Sequence, residues 1–514
     1  MMLRIVQIKM VLLIGFSFLI FSSFTGFTEE NTITELTLKQ KEAEFKYLTQ
    51  LIRDVYPFTT INSKIKGLNN IVDLENEYIH RAINTKFNDE YFEVVRSYVM
   101  QLQCGYHAYI CWPIEVEYYN DPYVKYYFIN GKPDLNKVNY WWEKEQKYVL
   151  EQYVTSDLKT IYKNGGYYLT NDYVDYYDSG KIIPVHSTIE KINDLPPDIF
   201  ARSLQTKIPL YYDPDYKKLY FPDPFFINPG LNKDGWEVQI KTPDNCLINA
   251  FIPQKINRLG FSRLYKSYPT VVCQELNNET GYIRIGNFGF KDEEFLPIHD
   301  FLKKSGGKFK KLIIDIRGNH GGTQRIWMDY VIAPLIKHTL TYDVTVALRK
   351  KLVEKFDLRK SPSLTPYYHF KRIRKVDNYP GFNNDDWCFF QVTREIKPKN
   401  RVPFNGLIYL LVDHNTYSAA EYFAVATKNS GFAKVVGTRS GGGGGSIFTP
   451  LYCQLPESGI LFRFEVAFLF NQDGTYNITH CTEPDVWLEP VLFPANFGKD
   501  TLLNDLWIQR VLED

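Results

Sequence analysis

Cysteine is scarce in this 514-residue chain: seven residues, at 104, 111, 246, 273, 388, 453 and 481, too few and too scattered to make a disulfide scaffold. No Cys-x-x-Cys pair and no His-Glu-x-x-His run occurs, and the nine histidines are dispersed, so neither a structural zinc nor a zincin-type metal site is expected. An excess of charge of either sign is also missing. Sixty Lys and Arg stand against 59 Asp and Glu, for a formal charge of +1, which argues against nucleic-acid binding and against a polybasic membrane surface. Long apolar runs are absent but for one, Met10 to Phe24, preceded by Arg4 and Lys9. A basic start followed by such a run reads as an export signal, a signal peptide or uncleaved N-terminal anchor over residues 1–28, and the rest of the chain is expected outside the membrane.

The remainder is that of a globular chain, 44% hydrophobic and 16% aromatic, long enough for about three domains. Residues 29–112 read as a helical region. Phe45, Leu48, Leu51, Ile52 and Val55 recur at helical spacing until Pro57, and Tyr91, Phe92, Val95, Tyr98 and Val99 line a second helix. That helix leads into Cys104-Gly-Tyr-His107-Ala-Tyr-Ile-Cys-Trp112, expected to become a strand after Gly105. Residues 113–260 open with aromatic doublets, including Trp141-Trp142 and Tyr167-Tyr168, expected to pack strands. Within this region a strand from Ser187, a turn at Asn193-Asp194 and a helix to Leu204 resemble, in order, part of a PDZ domain, although a clear carboxylate-binding loop is missing and Gly165-Gly-Tyr-Tyr-Leu169 is the nearest candidate. From 270 to 514 strands and helices alternate: strand 280–290, helix 292–304, strand 311–316, helix 326–336, strand 406–412 and helix 419–429. Buried strands separated by helices imply an α/β core, and the whole an α+β multidomain chain.

Two segments of that core stand just past strand ends, where α/β sheets place their sites: Asp315-Ile-Arg-Gly-Asn-His-Gly-Gly322 and Thr416-Tyr-Ser-Ala-Ala-Glu421. Ser418 at the start of a helix is open to two readings. It is either an N-cap, with Glu421 completing a capping box, or a hydroxyl exposed where free N–H groups and the helix dipole stabilise an oxyanion. The run Gly441 to Gly445 lacks the Lys-Ser/Thr of a phosphate loop and reads as a mobile loop beside Ser418 that can admit or close over a peptide.

Together with Val436-Gly-Thr-Arg-Ser-Gly441 and Glu483-Pro-Asp-Val486, these segments resemble, in order and spacing, the tail-specific or C-terminal processing peptidases, serine proteases that include the tricorn core protease. The resemblance implies a ClpP/crotonase-like protease core, a degenerate PDZ-like module and a peptide or protein substrate, with no cofactor. It makes Ser418 the nucleophile, with an oxyanion hole from the N–H of Ala419 and one from Gly321 or Gly322. The lysine base of the bacterial branch is absent, its place taken by Gly441 to Gly445. The resemblance is closer to the tricorn-like branch, whose base is a histidine on the N-terminal side, and His107 stands at the corresponding place. His320 and His414 are its rivals, in that order. Tyr106 stands where that branch has a serine, and Glu483 is the nearest acidic candidate for orienting the histidine. The lost lysine, Tyr106 and His320 also motivate a second reading, a catalytically silent peptide- or ligand-binding protein on the same fold.

Overall fold

The computed structural model describes residues 33–514, apart from 121–123, 153, 155, 176–179, 222–224, 226–233, 256–268, 290, 356–369, 377–384, 444–449, 492 and 495. The apolar N-terminal run lies outside the described residues, as do Gly444 and Gly445. Among the described residues no helix is long and apolar enough to cross a membrane.

The N-terminal helices Leu38–Val55 and Asn88–Met100 form as their apolar spacing predicts. Thr37 caps the first through a capping box with Gln40. Their buried faces do not close a core of their own. Phe45, Leu48, Tyr98 and Trp141 belong to one continuous apolar core with Ile283, Ile314, Leu410 and Phe423 of the α/β region, so helices and sheet are held by the same burial. Residues 154–252 instead have a separate core built around Leu158, Tyr167, Ile192, Trp236 and Ile252.

The α/β region is built on a six-stranded sheet in the order Val271–Glu275, Thr280–Ile285, Lys311–Asp315, Leu407–Val412, Lys434–Gly437 and Val486–Trp487. The first pair is antiparallel and the rest parallel. The parallel order places the ends of Lys311–Asp315 and Leu407–Val412 side by side, so the two polar segments that follow them meet. The separate unit carries a five-stranded antiparallel sheet, Leu247–Pro253, Gly235–Lys241, Thr188–Ile192, Gly166–Leu169 and Thr160–Lys163, with the short helix Pro197–Ser203.

Two expectations from sequence are corrected. The aromatic-rich stretch after 113 is not mainly strand: Leu135–Gln152 is an 18-residue helix. Among its described side chains Val138, Trp141 and Glu145 are the buried positions, spaced three and four apart, and Trp141 stacks on Phe92 at 5.3 Å, so burial on a helical face overrides the strand preference of aromatics. The segment after Gly105 is also less regular than expected. A single tight helical turn, Gly105–His107, precedes a strand of only two residues, Tyr109–Ile110. That strand pairs antiparallel with Leu461–Phe464, with Tyr109 opposite Arg463 and Ile110 opposite Phe462. A further antiparallel sheet, Phe370–Val376, Trp387–Ile396, Leu340–Arg349 and Ala467–Phe470, occupies a stretch for which the sequence suggests no element.

Candidate active site

Ser418 sits at the junction of strand Leu407–Val412 and helix Ala419–Ser430 with φ 57° and ψ −119°. A positive φ at a non-glycine residue is costly and persists only where its surroundings impose it. Here Ser418 N–H donates to Gly442 O at 3.2 Å, and Tyr417 N–H to Asn319 O at 2.9 Å, so the turn is gripped from both sides. The serine does not cap its helix: no hydrogen bond runs from the helix N–H groups to its side chain. Glu421 is fully buried and accepts from Asn477 Nδ2 and Thr482 Oγ1, both at 2.6 Å. Burial raises its pKa, against the hydrogen bonds from Ser440, Thr482 and Asn477. Glu421 therefore anchors the helix to the 477–482 segment, and the capping-box reading fails.

The Ser418 hydroxyl instead faces His107, whose Nε2 stands 3.1 Å from Oγ across 311 residues of chain. The strand pairing explains the meeting. With Tyr109 opposite Arg463, continuing the same register two residues further sets Glu465 opposite His107, and the Glu465 carboxylate lies 2.8 Å from His107 Nδ1. The two groups stand at ion-pair distance, and no hydrogen bond of good geometry joins them. Both side chains are almost wholly buried, His107 at 7% and Glu465 at 2% exposure, which strengthens electrostatics between them. Tyr417 completes the frame. Its ring lies 5.1 Å from that of His107 and its hydroxyl reaches Cys104 O at 3.4 Å, directly over Gly105. Any Cβ at Gly105, whose φ is +67°, would stand 2.1 Å from that hydroxyl, so this contact needs glycine.

The Asp315 to Gly322 segment supplies the opposite wall. Asp315 and Arg317 are buried and paired at 2.7 Å, Arg317 also reaches Asp505 at 2.9 Å, and Tyr282 donates to Asp315 at 2.8 Å. Burial alone would raise the Asp315 carboxyl, but Arg317 and Arg284 more than offset it and hold its pKa below the ordinary value. Asn319 Nδ2 donates to Ile285 O at 3.1 Å, Gly318 N–H to Asp413 at 2.8 Å, and Thr416 Oγ1 to Ile316 O at 3.2 Å, so the two segments are tied together. Replacing Arg317 by methionine leaves two carboxylates buried without their cation. The expected result is a loss of about 3–5 kcal/mol of stability in denaturant unfolding, the usual cost of removing one partner of a buried pair.

Gly321, at φ +101°, lies against the nucleophile turn: a Cβ there would fall 2.8 Å from both Ala419 N and Ser418 Cβ. Ala419 is the first residue of the helix, and its backbone N lies against this glycine. Of the two glycines expected to add a second donor, Gly321 is already engaged, its N–H donating to Asn319 Oδ1 at 2.8 Å. Gly322 bridges to Phe288 through the neighbouring Gly321 O and Thr323 N, which turns its own N–H to the other side. Gly321→Ala would press its Cβ on Ala419 N, Tyr417 O and Ser418 Cβ at a φ that alanine rarely adopts, so the nucleophile turn must shift: the expected result is lower stability in denaturant unfolding and a fall in kcat of roughly 10²–10³, the size seen when an oxyanion donor is displaced. A steady-state comparison with wild type checks it.

The other sequence candidates lie elsewhere. Glu483 is exposed and 3.5 Å from Arg439, on the surface rather than beside His107, where Glu465 stands instead. The Tyr106 side chain lies outside the described residues. His414 is half-buried, its Nε2 3.1 Å from the Asn415 amide and its ring against Tyr211. Burial lowers its pKa, with Asp413 opposing. His320 stands exposed in the glycine turn. The glycine run is not a free loop over residues 441–443. Gly441 N–H donates to Thr416 O at 2.8 Å, and a Cβ at Gly443 would enter the Tyr417 ring, so these glycines permit backbone to pack on the nucleophile turn. Glu465 was missed because only strand register brings it to His107. Its trace in the sequence is a lone acid within Leu461-Phe-Arg-Phe-Glu-Val-Ala-Phe-Leu-Phe470. Among the described residues no group of three or more His, Cys, Asp or Glu side chains is disposed to hold a metal.

A serine on a strained strand-to-helix turn, an imidazole on its hydroxyl and a carboxylate behind the imidazole are the components of acyl-transfer chemistry. Residues 279–488 match the model of Peptidase family S41, and the protein is a serine-type peptidase. No curated protein matches the sequence. Among solved structures, similar chains include mature CPAF (13% identity over 88% of this chain and 94% of that one, TM-score 0.48). Others are the photosystem II D1 C-terminal processing protease (12%, 89% and 95%, TM-score 0.39) and the tricorn protease (14%, 93% and 36%, TM-score 0.35).

Proposed function

We propose that the protein cleaves peptide bonds through an acyl-enzyme on Ser418, with His107 as general base and then general acid. The observation that carries this reading is the 3.1 Å approach of His107 Nε2 to Ser418 Oγ. A serine hydroxyl is a weak nucleophile until a base takes its proton as it attacks, and an imidazole at hydrogen-bond distance does so near neutral pH. The Glu465 charge, 2.8 Å from Nδ1, favours the tautomer with its proton on Nδ1, which leaves Nε2 free to accept, and stabilises the imidazolium that forms. The tetrahedral oxyanion then accepts from the Ala419 N–H and from Gly322, with the helix Ala419–Ser430 adding its dipole. A catalytically silent protein on the same fold would keep His107 and Ser418 apart, so the contact favours the peptidase.

The same reading takes the α/β region as a ClpP/crotonase-like core and residues 154–252 as a degenerate PDZ-like module. In that module a cavity of about 560 Å³ runs between Gly165–Tyr168, Thr188–Glu190 and Pro196–Asp198. Peptide binds extended there or along strand edges, drawing its affinity from backbone hydrogen bonds. The chain is exported by its N-terminal segment, as a signal peptide or anchor, and acts outside the cytoplasm. The test is hydrolysis of an unstructured protein by the purified ectodomain. Turnover lost in Ser418→Ala supports the peptidase, and turnover unchanged in that variant refutes it.

A further inference from the structure

Between the small β-module and the protease core lies a cavity of about 530 Å³, separate from the catalytic pair. Tyr417 and Gly105 line it, so the Tyr417 ring partitions it from His107. Its depth holds Lys66, a side chain the peptidase chemistry does not use, at 4% exposure. Lys66 Nζ donates one hydrogen bond, to Gln103 O at 3.2 Å. No carboxylate stands within ion-pair distance of it among the described residues. The neighbouring thiols supply no counter-charge either: burial pushes Cys104 up to about 12 and raises Cys481 well above the ordinary range.

Burial lowers the Lys66 pKa to about 8, so at pH 7 the ammonium is still mainly protonated. A buried charge without a partner is unfavourable, and it persists more readily where a ligand supplies the counter-ion. Of the other cations lining the cavity, Arg439 is already committed to Asp215 and Glu483, and Lys163 lies over the Tyr168 ring. Asp213 and Asp215 also line the cavity and would repel a doubly charged group such as phosphate. Six tyrosines, Tyr162, Tyr211, Tyr212, Tyr216, Tyr220 and Tyr417, supply the broad aromatic surface.

We propose that this cavity binds a small organic monocarboxylate, its anion on Lys66 Nζ and its apolar remainder against those tyrosines. The site stands whether or not Ser418 is the nucleophile. A free acid and the terminal carboxylate of a peptide share this chemistry, and the test separates them.

Binding is measured by calorimetry on the ectodomain carrying Ser418→Ala, so that nothing is turned over. One pair of probes is phenylacetate and phenylacetamide; the other is a tyrosine-terminated hexapeptide with a free or an amidated C-terminus. The acid of at least one pair should bind roughly tenfold or more tighter than its amide, as expected for a charge-assisted bond. Adding Lys66→Met should remove that preference. Preference within the first pair assigns a free acid, and preference confined to the second assigns a peptide end. Equal binding of acid and amide in both pairs, or a preference unaltered by Lys66→Met, overturns the proposal. Should Lys66→Met fail to fold, the acid–amide comparison in the Lys66-bearing protein decides the question alone.

Discussion

Ser418→Ala and His107→Ala should each lower kcat for peptide hydrolysis by on the order of 10⁶, and the double variant should be no worse than either single one. The reason lies in the shared proton. Oγ attacks only as Nε2, 3.1 Å away, accepts its hydrogen, so removing either atom removes the same step. What survives is binding and the oxyanion hole, which together keep some catalysis over water. Losses that add in the double variant would mean the two side chains act in different steps. Steady-state kinetics of the four proteins measures this directly, with circular dichroism to check that each is folded.

The second large effect falls on Glu465. Its carboxylate sits 2.8 Å from His107 Nδ1 on the face of the imidazole opposite the serine. Glu465→Gln keeps the size and removes the charge, so the imidazolium loses its counter-ion and the ring its tautomer preference. A fall of roughly 10⁴ in kcat with KM little changed is expected, the size of effect that follows when a triad acid becomes an amide. Glu483→Gln, at the exposed position 3.5 Å from Arg439, should leave kcat within about twofold, since exposed ion pairs contribute little. If the two substitutions exchanged these outcomes, the assignment of the orienting acid would be reversed.

The contrast between those two glutamates marks how far the sequence is legible. The strand ends and the helix start around Ser418 are local patterns, but taken alone they suit an N-cap as well; the roles of Ser418, Ala419, Gly321 and Gly322 follow from the resemblance, and the parallel order of neighbouring strands brings the two segments together. His107 was legible only through the order of motifs in a family, since nothing local to Cys104-Gly-Tyr-His107 announces a partner 311 residues away. Glu465 was not legible at all, because its place depends on the antiparallel pairing of Tyr109 with Arg463, and register is set by the folded sheet. The helix Leu135–Gln152 was hidden for another reason: its tryptophans and tyrosines favour strands as isolated residues, while burial of Trp141 against Phe92 decides the outcome. Gly441 to Gly443 looked mobile by composition but are required by close approach to Thr416 and Tyr417, a contact invisible until the chain is folded.

The most direct test of an activated serine is covalent labelling of the purified protein with a fluorophosphonate, followed by peptide mapping of the modified residue. A single adduct on Ser418, formed by the wild type between about pH 6 and 9 and absent from Ser418→Ala and His107→Ala, is the predicted result. An unlabelled wild type over that range, or labelling of Ser418 undiminished by loss of His107, would contradict the assignment of His107 as the base.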